Sequence, residues 1–185
     1  MALVPQSGAL ATATSALGLT QWYWLFKPLT MVIALVLVAA SAYPSSARGH
    51  FASKNLFLLV AALAGSLAGD VFLMFQGFFI PGLVSFLVAH LFYVALFKSG
   101  QRWFPHRGAL AATLGVGAAM YAFLWAGGLP PALRAPVAAY VLVIALMAAQ
   151  AIGRATVLRD TPSLLVAIGA GFFMLSDSLL APNRF

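Results

Sequence analysis

The sequence predicts an all-α protein, a polytopic bundle of transmembrane helices, on three observations. Of its 185 residues, 63% are hydrophobic and only 7% charged, whereas soluble domains carry roughly a quarter charged residues. The mean hydropathy is +1.01. The apolar residues also gather into runs of about 20, the length a helix needs to cross the bilayer's hydrocarbon, and short loops between them hold most of the basic residues. These features exclude a soluble globular domain.

Residues 1–24 form an N-terminal arm or weak helix rich in Ala, Thr, Ser and Gly. The arm lacks the basic n-region of a signal peptide, and it ends in Trp22, Tyr23 and Trp24, where an interfacial aromatic belt would stand. A single transmembrane domain is expected over 25–185. Its first span runs from about Leu25 to Tyr43 and its second from about Asn55 to Phe75. The turn Gln76-Gly77 makes a hairpin with a third span at about Phe79 to Phe97. After the basic loop Lys98 to Arg107 comes a fourth span at about Ala109 to Gly127, and after Pro130-Pro131 a fifth at about Pro136 to Gly153, with Pro136 placed in the first helical turn. A polar loop, Arg154 to Thr161, precedes a sixth span from Pro162 to about Ala181. The expectation is six spans, or seven if the arm also crosses.

The net charge of +7 points to anionic lipid rather than nucleic acid, because the basic residues flank apolar runs. Arg48, Lys54, Lys98, Arg102, Arg107, Arg154 and Arg159 share one face, against Lys27, Arg134 and Arg184 on the other. The positive-inside rule then makes the first face cytoplasmic. The expected setting is a cell membrane, the inner membrane in a bacterium. With no cysteine, disulfides, thiol nucleophiles and Cys-based metal sites are excluded. His50 and His106 are placed in loops, which leaves His90 and two Asp as the remaining donors, so no metal and no cofactor are expected.

An ionisable group deep in a bilayer costs several kcal/mol unless it is paired or faces a cavity. Asp70, in AGSLAGDVFLMF, and Asp177, in GAGFFMLSDSLLA, are such groups, whereas Asp160 is read as solvated in a loop. Each of the first two lies fifteen residues into a span that starts on the basic face, Asp70 from Asn55 and Asp177 from Pro162. Both therefore sit about 22 Å along their helices. Lys27, Tyr140, Asn183 and Arg184 reach a similar level from the other face, so a polar constellation in the bundle interior is expected. Gly65, Ser66 and Gly69 precede Asp70, and Gly169, Ala170 and Gly171 precede Asp177, where small residues allow close helix contact or leave room for a ligand. His90, with Phe86, Tyr93 and Phe97 at helical spacing, is read either as a hydrogen-bonded packing residue or as part of a groove for an acyl chain. Ser176 and Ser178 flank Asp177, but no His is placed to complete a serine triad. The two carboxylates are the best catalytic assets in the chain.

Lys27-Pro28-Leu29-Thr30, Gly69-Asp70-Val71-Phe72-Leu73-Met74, Phe86 with Ala89-His90-Leu91-Phe92-Tyr93, Tyr140 with Met147, and the segment from Gly169 to Ala181 with Asn183-Arg184-Phe185 together resemble the YhhN family of integral membrane proteins, a lysoplasmalogenase-like family. The resemblance implies a bundle of about eight helices, against the six or seven spans read here, the departure lying at the two ends. It also implies hydrolysis of the vinyl ether bond of lysoplasmalogens to a fatty aldehyde and a glycerophospho-base. That chemistry asks for a general acid and a base or anion, with no metal or covalent nucleophile. On this reading Asp70 and Asp177 are the catalytic pair. Lys27 and Arg184 receive the lipid phosphate, Tyr140 and Asn183 orient water or headgroup, and His90 borders the chain. The alternative is a proton-coupled lipid or small-molecule transporter that uses the same aspartates. The expected partners are a lysophospholipid-class substrate and the bilayer itself, with no nucleic acid.

Overall fold

The computed structural model of the chain describes residues 32–38 and 50–180, and every described element is helical. Residues 32–38 form α1, inside the expected first span. The others are α2 (His50–Met74), α3 (Phe79–Lys98), α4 (Arg107–Ala126), α5 (Pro131–Leu158) and α6 (Thr161–Leu180). All five are long and apolar enough to cross a membrane. Lys27, Asn183 and Arg184 lie outside the described residues, as do the N-terminal arm and most of the first span.

Helix α5 is the axis of the bundle, packing against α3, α4 and α6, while α2 packs on α3. Its apolar face explains this position, because Ile144, Ala145, Met147, Ala148 and Ala151 meet Val94 of α3 and Ala170 and Met174 of α6 in one buried cluster. A second cluster joins Leu83, Leu124, Leu129 and Val137 toward the other end. The many alanines on α5 let neighbouring helices approach closely, which is how helices associate where no hydrophobic effect separates them from lipid.

Helices α3, α4 and α6 fall within about two residues of expectation, α2 begins earlier, at His50, and α5 departs from expectation at both ends. Pro131, not Pro136, takes the first helical position, because Pro130 is extended (φ −54°, ψ 138°) and ends the preceding turn. Pro136 is therefore inside the helix, where it withholds the N–H that would bond the Ala132 carbonyl. At the other end Arg154 is helical rather than in a loop. Its Nη1 donates to the carbonyls of Ser99 at 3.0 Å and Phe97 at 3.4 Å, so the charge is engaged at the end of α3 instead of calling for a loop of its own. The α5–α6 connection shrinks to Arg159, at φ 54°, and Asp160.

Three polar residues assigned to loops act at helix starts. His50 begins α2. His106 caps α4, its Nδ1 accepting from Ala109 N at 2.9 Å. Asp160 caps α6 by accepting from Ser163 N at 2.8 Å, and these Ser163 hydrogen bonds hold its exposed carboxyl below the usual aspartate range.

Candidate functional site

Asp70 and His90 are almost fully enclosed, 2% and 1% exposed. They stand on the adjoining helices α2 and α3, and Tyr140 and Asp177 face them from α5 and α6. The Tyr140 hydroxyl donates to Asp177 Oδ2, and Asp70 as well as Asp177 lies within Coulombic range of that hydroxyl. One phenol from the central helix thus bonds the Asp177 carboxylate directly and has Asp70 within electrostatic reach. Because α5 begins at Pro131, Tyr140 is nine residues from its start, about 14 Å along the axis and deeper than a start at Pro136 would place it. The length of the phenol carries its oxygen to the Asp177 level.

His90 forms the floor of this arrangement. Its Nδ1 pairs with the Phe86 carbonyl one turn earlier, and its ring lies 4.8 Å from Phe173 and 5.7 Å, edge to face, from Tyr140. Phe86 reaches Phe173 at 6.2 Å. These rings join α3, α5 and α6 directly beneath the carboxylates. Tyr93 and Phe97 continue the stripe as a stacked pair 5.8 Å apart and pack against the α5 cluster.

Among the described residues the two small-residue runs differ in how their glycines are used. A Cβ on Gly69 would fall 2.5 Å from Phe86 Cδ2, so the absence of a side chain beside Asp70 is what seats the Phe86 ring. Gly169 and Gly171 meet nothing within 4 Å among the described residues, while Ala170 between them is buried. Ser178 donates back to the Met174 carbonyl at 2.8 Å and Ser176 is exposed, an arrangement without the ordered base of a serine nucleophile. Among the described residues no group of three His, Cys, Asp or Glu could hold a metal.

Two contributors escaped the reading by charge. Ser66, 2% exposed, faces Tyr93 of α3 from one turn before Asp70 on α2. Gln150, fully enclosed, accepts from Phe104 N at 2.8 Å and donates to Arg102 O at 3.1 Å, fastening the α3–α4 loop to α5. A Gln within an alanine-rich span was the available signal.

Fold and site together define a polytopic membrane protein with enclosed Asp70 and His90 and part-buried Tyr140 and Asp177 on four of its helices. The model of the YhhN family matches residues 22–185, and the chain belongs to that family. It is 29% identical over 168 residues to proteins named lysoplasmalogenase from Mycobacterium bovis and Mycobacterium tuberculosis, with 87% of this chain covered in each case. The chain spans 60% of the length of those relatives. No solved structure matches it.

Proposed function

We propose that this chain is a membrane-embedded lysoplasmalogenase-like hydrolase that cleaves the vinyl ether bond of a lysophospholipid-class substrate. The observation that carries the reading is a pair of carboxyl groups inside one apolar bundle, Asp177 hydrogen-bonded to Tyr140 and Asp70 2% exposed. Family membership and the lysoplasmalogenase-named relatives support it.

Water adds across the bond in steps that two carboxyl groups can serve. The carboxylic acid of one aspartate gives its proton to the alkene carbon remote from oxygen, leaving an oxocarbenium ion that the other, ionised aspartate stabilises. Water attacks the carbon attached to oxygen and loses a proton to a carboxylate, forming a hemiacetal. Collapse of the hemiacetal breaks the bond to the glycerol oxygen, which takes up a proton, and releases the fatty aldehyde and the glycerophospho-base. Every proton lent is returned, and no cofactor or metal enters. Tyr140 serves as a positioning residue for the Asp177 carboxylate, and His90 with Phe86 and Phe173 borders the apolar part of the substrate. Lys27, Asn183 and Arg184 are assigned to the headgroup on the family's motif. By the positive-inside rule the end of the bundle that bears Lys54, Lys98 and Arg102 faces the cytoplasm.

The test is incubation of the protein in detergent with a lysoplasmalogen and with its saturated ether and ester analogues, reading products by mass spectrometry. Aldehyde from the vinyl ether alone is the expected result. Fatty acid from the ester with no aldehyde, or no product from a folded protein, would contradict the proposal.

A further inference from the structure

A second polar feature lies at the far end of α2 and α3, apart from the carboxylates. Lys54 is sixteen residues before Asp70 on the same helix, about 24 Å along its axis. Beside it, Lys98 closes α3 and the following loop brings Arg102 and Trp103 round the same hollow, a cleft of about 580 Å³. Among the described residues that line it there are three cations and no carboxylate.

The cleft is a built feature rather than a chance gathering of surface lysines. Gly100, at φ 71°, turns the chain sharply after α3. Gln150 then grips the loop from beneath through Arg102 O and Phe104 N, and Arg154 binds the carbonyls of Phe97 and Ser99. Two enclosed or half-buried polar side chains of α5 thus fix the loop backbone that presents Arg102. Lys98 Nζ lies 5.2 Å from the centre of the Trp103 ring, and that indole is 56% exposed. An exposed indole beside ammonium and guanidinium groups at the end of two spans is the chemistry of the membrane–water interface. Paired ammonium groups suit a phosphate, and the guanidinium fork can engage two of its oxygens at once.

We infer that this cleft binds the phosphate of an anionic phospholipid headgroup, with Lys54, Lys98 and Arg102 as its ligands and Trp103 at its rim. A phospholipid held there keeps its glycerol within a few bonds of the cleft, far from Asp70, so this is a lipid other than the one proposed to react. The inference does not rest on the hydrolase reading. Three cations with no carboxylate among the described lining residues favour a net negative headgroup over a zwitterionic one, which brings its own ammonium.

The full chain in detergent micelles is titrated with brominated phosphatidylglycerol, brominated phosphatidylcholine and inorganic phosphate, reading tryptophan quenching against a Trp103→Phe control and 1:1 adducts by native mass spectrometry. A saturable component of the quenching by phosphatidylglycerol that is lost in Trp103→Phe is expected, at least tenfold tighter than any such component with phosphatidylcholine. Lys54→Gln/Lys98→Gln and Arg102→Gln should each weaken it at least tenfold, and Arg102→Lys should restore part of the loss. Circular dichroism identifies any variant that misfolds, and the single substitutions Lys54→Gln and Lys98→Gln then replace it. Equal binding of the two lipids, or unchanged binding in the variants, would overturn the inference. So would retention of inorganic phosphate where phosphatidylglycerol is not retained, since that would make the ligand a free phosphate.

Discussion

Tyr140 on the central helix α5 donates its hydroxyl to Asp177 on α6. The bond orients one carboxylate oxygen, and it does so from the helix that packs against α3, α4 and α6. A hydrogen bond to a charged group contributes about 1.5–3 kcal/mol. Tyr140→Phe is therefore expected to lower kcat by roughly 10- to 100-fold, with a smaller effect on KM and helical content retained. Turnover assays with circular dichroism check this.

Gly69 is where Asp70's helix admits the Phe86 ring, 2.5 Å from a would-be Cβ. Gly69→Ala should destabilise the protein by about 1–3 kcal/mol through overpacking. The second substitution Phe86→Leu should recover much of that loss. Gly169→Ala, with open space at its Cβ, should leave the thermal midpoint unchanged or slightly raised. Thermal unfolding in one detergent compares all four proteins.

Gln150 holds the α3–α4 loop by two hydrogen bonds. Gln150→Leu removes both partners at once and leaves a part-buried N–H and C=O unmet, at about 1–3 kcal/mol for each group. The expected result is a lower thermal midpoint together with faster hydrogen exchange at the Phe104 amide. Exchange at Phe104 as slow as in the parent protein would contradict the role assigned to Gln150.

The α6 cap gives a pH dependence of definite sign. Hydrogen bonds from Ser163 lower the Asp160 pKa in the folded protein. Its contribution is therefore complete above the ordinary aspartate pKa and is lost as pH falls through the depressed folded value. Asp160→Ala should unfold at a lower temperature than the parent at neutral pH, and the gap should close on acidification. Hydrogen exchange in the first turn of α6 should report the same trend.

The sequence made α2, α3, α4 and α6 legible because each apolar run ends at a turn signal, such as Gln76-Gly77 or Gly127-Gly128. It misplaced α5 because two prolines compete for its start and because Arg154, read as a loop charge, satisfies itself against neighbouring carbonyls. Asp70 and Asp177 stood out as lone charges in apolar surroundings. Tyr140 was found by its level along the fifth span, although its true depth differs. Ser66 and Gln150 were harder to see, since a neutral polar group in a span carries a smaller cost and so a weaker signal. Helical spacing placed Phe86 and His90 on one face of α3, but the gap at Gly69 that receives Phe86 belongs to the contact between two helices and is not written in either one's periodicity.

The most direct measurement of the central claim is turnover of a lysoplasmalogen by Asp70→Asn and by Asp177→Asn, each first shown by circular dichroism and size-exclusion chromatography to be folded. If both carboxylates act on the bond, aldehyde release falls to background in each variant. Near-normal release from either would contradict the two-carboxylate mechanism.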